Sequence, residues 1–301
     1  MTRRRFILIS LTLAAFVGAV AFAQRGPRGS GRGPGGRGQS FNQDQSVLPT
    51  WENDKLMPHD VFTFVRIQYS TAGRGRFGGF GGGRGGYRWH TDAPDADMNL
   101  GYRLQQMTSL KVHSVQPDEI GLELTDPKLF SYPFIYIVEP GDLSFSDEEA
   151  TILRKYLLNG GFLMVDDFWG DSEYEGFYEA IKKAFPDREP QELEMSHPIF
   201  HTVFDLKMKK NEMQIPNVTV GTASQFNEGV TWEDHHDGNV RDVHFKGIFD
   251  DKGRMMVMIC HNTDNGDGWE WEGNNIYYFR EFAEKKAYPL MINIVFYAMT
   301  H

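Results

Sequence analysis

The sequence predicts an α/β domain: a mostly parallel sheet with helices on both faces, plus an antiparallel hairpin near the C-terminus. Three observations predict it. Residues 133–139 (PFIYIVE) and 162–165 (FLMV) are continuous apolar runs between turn signals, the pattern of strands covered on both faces. A helix with a capping box lies between them and a second helix follows, an order that implies right-handed crossovers. Residues 243–249 and 255–259, joined by Asp250-Asp251-Lys252-Gly253, read as a hairpin.

In chain order, residues 61–69 (VFTFVRIQY) form a β-rich first strand. Residues 95–109 suit a helix, with Leu100, Leu104 and Met107 apolar and Asp95 or Asp97 placed to cap it. Residues 111–115 give a short second strand. Ser146-Asp147-Glu148-Glu149 is a capping box; the helix it opens carries Ala150, Leu153, Tyr156 and Leu157 on one face and stops at Asn159-Gly160-Gly161. Ser172-x-x-Glu175 reads as a second capping box, opening a helix that runs to Phe185 before Pro186. Residues 287–299 read as a buried C-terminal helix, with Pro289 tolerated in its first turn.

The 301 residues are 40% hydrophobic and 14% aromatic, enough for a real core. A formal charge of -10 excludes a chain that is basic throughout, so no nucleic-acid partner is expected. The single cysteine, Cys260, excludes an internal disulfide framework and a cysteine-rich zinc module. Residues 1–23 read as an export signal: Arg3-Arg4-Arg5, an apolar run, then Ala21-Phe22-Ala23. The arginines fit twin-arginine or Sec export, and no later stretch is long enough to span a membrane, so a periplasmic or secreted location is expected. Residues 24–58 read as a Gly/Arg-rich linker. Residues 59–301 read as the domain, interrupted by a Gly/Arg-rich insertion at 73–86. The first 40 residues hold seven arginines and no acid, so the rest carries 24 basic against 41 acidic side chains.

Several long motifs resemble a known family. They are residues 88–97 (RWHTDAPDAD), 133–142, 157–170, His197-Pro198-Ile199-Phe200, and 261–270 beginning His261-Asn262-Thr263-Asp264. They are similar to the bacterial domain-of-unknown-function family 4159, over roughly residues 59–301. The resemblance implies a fold like that of class I glutamine amidotransferases, a flavodoxin-like three-layer sandwich. It implies no activity; members often sit near envelope proteins and ATPases of the MoxR type. The chain departs from amidotransferases at the strand-to-helix elbow, where Asp166-Asp167-Phe168-Trp169-Gly170 offers no cysteine, and glutaminase chemistry is not expected.

Ligands of open parallel sheets bind beyond the strands' carboxyl ends, where this sequence gathers polar residues. Glu139, Asp166 and Asp167 follow two predicted strands, and His261 and Asp264 follow a third. Such carboxylates hold a divalent cation, do acid–base work, or accept hydrogen bonds from sugar hydroxyls; alternatively they cap the next turn. His90, Asp92 and Asp97 form a second ligand-rich segment without the spacing of a standard calcium loop. In 261–270, Trp269 and Trp271 offer flat faces to a sugar ring, beside Asp267 and Glu270. Three readings stand: binding of a carbohydrate or divalent metal at the strand ends, an envelope scaffold docking a protein partner, and a carboxylate-dependent hydrolase.

Overall fold

The computed structural model describes residues 51–53, 55–56, 60–72, 88–115 and 121–301. The export signal, most of the linker and the 73–86 insertion lie outside the described residues. The elements are β1 (Ile67–Gln68), α1 (Asp95–Met107), β2 (Leu122–Glu123), β3 (Phe134–Val138), α2 (Asp147–Leu158), β4 (Phe162–Asp166), α3 (Gly170–Ala184), β5 (Gln191–Glu192), α4 (Val218–Ala223), β6 (His244–Phe249), β7 (Met255–His261), α5 (Asn265–Glu270) and α6 (Tyr288–Thr300).

Five strands form one sheet in the order β3-β4-β7-β6-β5. β3 pairs in parallel with β4, Phe134 opposite Phe162 and Val138 opposite Asp166, and β4 pairs in parallel with β7. β7 pairs antiparallel with β6, and β6 with β5. The sheet is therefore mixed, where the sequence predicted a mostly parallel one. The reason is local: the turn at 250–254 is too short for a parallel crossover, so the hairpin occupies β7's remaining edge. Beyond β3, Arg66 bridges Tyr136 in parallel and β1 pairs in parallel with β2.

β3, β4 and β7 are buried throughout, and their alternating side chains feed two cores. Phe134, Tyr136, Phe162 and Met164 meet Leu100 and Leu104 of α1 and Leu290 and Ile294 of α6. Ile135, Ile137, Leu163 and Val165 meet Leu153 and Leu157 of α2 and Phe177 and Ile181 of α3. Apolar side chains of both strand faces thus leave water, each contributing roughly 1.5–3 kcal/mol. α6 is entered through a π-helical stretch, Phe279–Ala287.

The Ser146 capping box forms: the Ser146 hydroxyl accepts from Glu149 N at 3.2 Å and Ser146 N donates to Glu149 Oε2 at 2.7 Å. The one expected at Ser172 does not, because α3 starts two residues earlier, directly after the β4 turn. There Trp169 N donates to Glu173 Oε2 at 2.9 Å. α1 likewise begins at Asp95 behind Pro94, so neither Asp95 nor Asp97 is its N-cap. The expected strand at 61–69 is divided: Phe62 bridges Val112, the only paired residue of 111–115, and only Ile67–Gln68 joins a ladder.

Candidate functional site

Each of the three parallel strands ends in a residue other than glycine with left-handed backbone. Glu139 (φ 46°) follows β3, Asp167 (φ 55°) follows β4 and Asn262 (φ 60°) follows β7; Asp92 (φ 65°) adopts the same conformation just before α1. Asp and Asn tolerate this region, whereas for a longer side chain such as Glu139 it costs about 1–3 kcal/mol. The surrounding bonds impose it. Tyr69 OH donates to the carbonyls of Val138 and Glu139, at 2.8 and 2.7 Å. Asn262 ties three segments together: its Oδ1 accepts from Gly170 N at 2.8 Å, and its Nδ2 donates to the carbonyls of Asn239 and Asp242.

The turn carrying Asp92 hangs on a buried ion pair. Arg66 Nε donates to both Asp97 carboxylate oxygens at 2.8 Å, and its Nη1 donates to the Thr91 carbonyl at 2.5 Å. Asp92 Oδ2 lies against Gly266, where a Cβ would come within 2.1 Å of it; only glycine permits that approach.

These turns enclose a cavity of about 400 Å³. Asp92, Glu139, Asp167, Asp264 and Asp267 line it, facing Arg88, Trp169, Glu173, Glu233 and His236. One wall is a chain of opposed charges. Arg88 lies 3.7 Å from Glu139 and 3.8 Å from Glu173, and His236 lies 3.4 Å from Glu173 and 3.8 Å from Glu233. Burial works against the His236 charge, but its two carboxylate neighbours prevail and raise it to about 9. Among the described residues no ion pair compensates the other wall. Burial, reinforced by neighbouring carboxylates, holds the carboxyls of Asp92, Asp167, Asp264 and Asp267 well above their usual range.

Carboxylate oxygens of Asp92, Asp167 and Asp264 lie within 4.8 Å of one another, as do those of Asp92, Asp267 and Glu270. Glu233, His235 and His236 form a third such group on the opposite wall. Asp92 Oδ2 is enclosed and has no hydrogen-bond partner.

The sequence-predicted residues divide accordingly. Glu139, Asp92, Asp167, Asp264 and Asp267 reach the cavity, and Glu270 adjoins it through Asp92 and Asp267. Asp166 lies fully buried beneath the cavity floor. It accepts from Tyr136 OH at 3.0 Å, Asn265 Nδ2 at 2.7 Å, and the backbone N of Asn265 and Gly266. Burial outweighs these bonds and lifts its carboxyl to about 6, and its task is to fix the start of α5. Asp97 is consumed by Arg66. His90 does not line the cavity. His261 is buried among Phe168 and Tyr174, with Nε2 2.9 Å from the Gly170 carbonyl. Trp269 belongs to the core, stacked edge-on against Phe64, so it offers no face to a sugar. Within residues 261–270, expected to form a turn-rich loop, Asn265–Glu270 is helix α5, capped by Asp264 Oδ1 accepting from Asp267 N at 2.8 Å.

Sequence reasoning missed Arg88, Glu173, Glu233 and His236. The adjacent pair His235-His236 and the acid three residues before His236 were the available signals, but no local periodicity ties them to the strand ends. Cys260 is buried in the core and burial raises its thiol, so it presents no nucleophile to the cavity.

The model of a domain of unknown function (DUF4159) matches residues 63–299. The chain belongs to that family. No curated protein matches it. Among the described residues no helix is long and apolar enough to cross a membrane.

Proposed function

We propose that the cavity binds a divalent cation through Asp92, Asp167 and Asp264, and that the bound ion offers its open positions to a polar, oxygen-rich ligand such as a carbohydrate. One observation carries the reading. Three carboxylates converge within 4.8 Å, none of them ion-paired to a described basic side chain, and one has an enclosed oxygen without a partner. Asp264 is buried and Asp92 and Asp167 are half-buried, and negative charges converging at such depth are costly unless a cation joins them. An all-oxygen donor set suits a hard ion, calcium, magnesium or manganese, over zinc. The cavity leaves room beside the ion, and Arg88 and His236 on the far wall donate hydrogen bonds to a ligand's oxygens.

Two wider readings belong to the same proposal. The flavodoxin-like arrangement is supported by the parallel run β3-β4-β7 and by helices on both faces. Export to the periplasm or beyond is supported by the signal-like residues 1–23.

Thermal unfolding of the purified chain with EDTA, calcium, magnesium or manganese tests the binding. An ion at a hundred times its dissociation constant adds about 2.7 kcal/mol to stability. Asp264→Asn should reduce that increment, and absence of any shift across the three ions would overturn the proposal.

A further inference from the structure

The site holds more carboxylates than one ion needs. Asp264, Asp267 and Glu270 recur every third residue along α5 and its cap, a spacing that brings successive side chains onto neighbouring positions of a helix. Asp92 faces this row across Gly266, the residue without a side chain. Its carboxylate belongs to both acidic groups, one with Asp167 and Asp264, the other with Asp267 and Glu270. Asp92 Oδ2 is enclosed and unpartnered. Asp267 is held in this row by two donors, its Oδ2 accepting from Val218 N at 2.6 Å and its Oδ1 from Trp271 Nε1 at 3.1 Å. One divalent ion leaves most of this charge uncompensated; two bring it close to neutral.

We propose that the site is binuclear, with Asp92 bridging two divalent cations: Asp167 and Asp264 complete one position, Asp267 and Glu270 the other. This rests on the cation-binding reading above and adds a second ion to it. Carboxylate-bridged ions in such pairs stand about 3.5–4 Å apart, and together they clamp a ligand through two of its oxygens.

Manganese is the probe, because it reports both number and spacing. Calorimetric titration and native mass spectrometry of the full chain should give two Mn²⁺ per molecule, with an electron paramagnetic resonance spectrum broadened by exchange between the ions. Glu270→Gln should keep one ion, restore an uncoupled six-line spectrum, and weaken the second position on the order of 10–100-fold. Asp264→Asn should keep the other. Asp92→Asn, which retains a side chain suited to the left-handed backbone, should lose both while its circular dichroism stays that of the parent. A single ion in the parent, unaffected by Glu270→Gln, overturns the binuclear proposal and leaves the single-cation site standing. Two uncoupled ions overturn the bridging role of Asp92. No bound ion overturns both readings.

Discussion

The two ends of the parallel strands carry acidic residues in opposite circumstances. At the amino ends Asp187, Asp251 and Asp250 each have a base. Arg154 grips Asp187 with bonds of 2.7 and 3.0 Å, Arg188 reaches Asp251 at 2.7 Å, and Arg254 meets Asp250 at 3.3 Å. The Arg154 hydrogen bonds bring the Asp187 carboxyl down to about 2. At the carboxyl ends Asp92, Asp167, Asp264 and Asp267 form no ion pair with a described base and shift the opposite way. Composition alone does not distinguish the two ends. One is an ordinary solvated charge network; the other stores repulsion that a bound cation would relieve.

The largest effect should come from the buried pair that supports the carboxyl end. Asp97→Ala leaves Arg66 buried without its carboxylate and should cost about 3–5 kcal/mol in urea unfolding. Removing Asp97 should also weaken cation binding, because Arg66 positions Thr91 beside Asp92. Unchanged binding in a folded Asp97→Ala protein would break that connection.

The next effect is that of His236, about 1–3 kcal/mol from the size of its shift. Its folded value near 9 exceeds the unfolded 6.5, so its contribution is complete below about pH 6.5 and vanishes as pH rises through 9. The stability difference between the parent and His236→Gln should therefore shrink steadily over that interval. His261 and Lys286 shift the opposite way, to about 4 and about 8, which is why the difference between the two proteins, rather than either curve, is the quantity to follow. A difference independent of pH would show that the Glu173–His236–Glu233 chain carries no charge.

Smaller again is Asp264→Asn in EDTA. Removing one of several mutually repelling charges, while Asn keeps the cap of α5, should stabilise the ion-free protein by about 1 kcal/mol. Destabilisation would mean that the acids are compensated after all. The smallest effect belongs to the amino end: Asp187→Asn should lower the melting temperature slightly, and added salt should erase the difference.

Much of this was legible from local pattern. The apolar runs of β3 and β4, the Ser146 capping box and the 250–254 hairpin turn are short-range signals, and each appears where the sequence placed it. So does the gathering of Glu139, Asp167 and Asp264 at strand ends, because a strand's carboxyl end follows from its apolar run. The errors arose where distant residues intervened. Trp269 looked like an exposed platform, but α5 turns it into the core against Phe64 and Tyr136. Asp97 looked like a cap until Arg66, 31 positions earlier, claimed it. Asp166 looked like a ligand equal to Asp167, yet strand alternation sends it inward to Asn265.

By itself, then, the sequence determined the elements and the acidic character of their ends, since periodicity, capping and turn chemistry act over a few residues. Tertiary structure decided which acids face one another. Asp92, Asp167 and Asp264 come from three segments far apart in the chain, and only the parallel register of β3, β4 and β7, with the α5 backbone held by Asp166, brings them within 4.8 Å. Electrostatic repulsion depends on that distance and on exclusion of water, neither of which is written in any local stretch of residues.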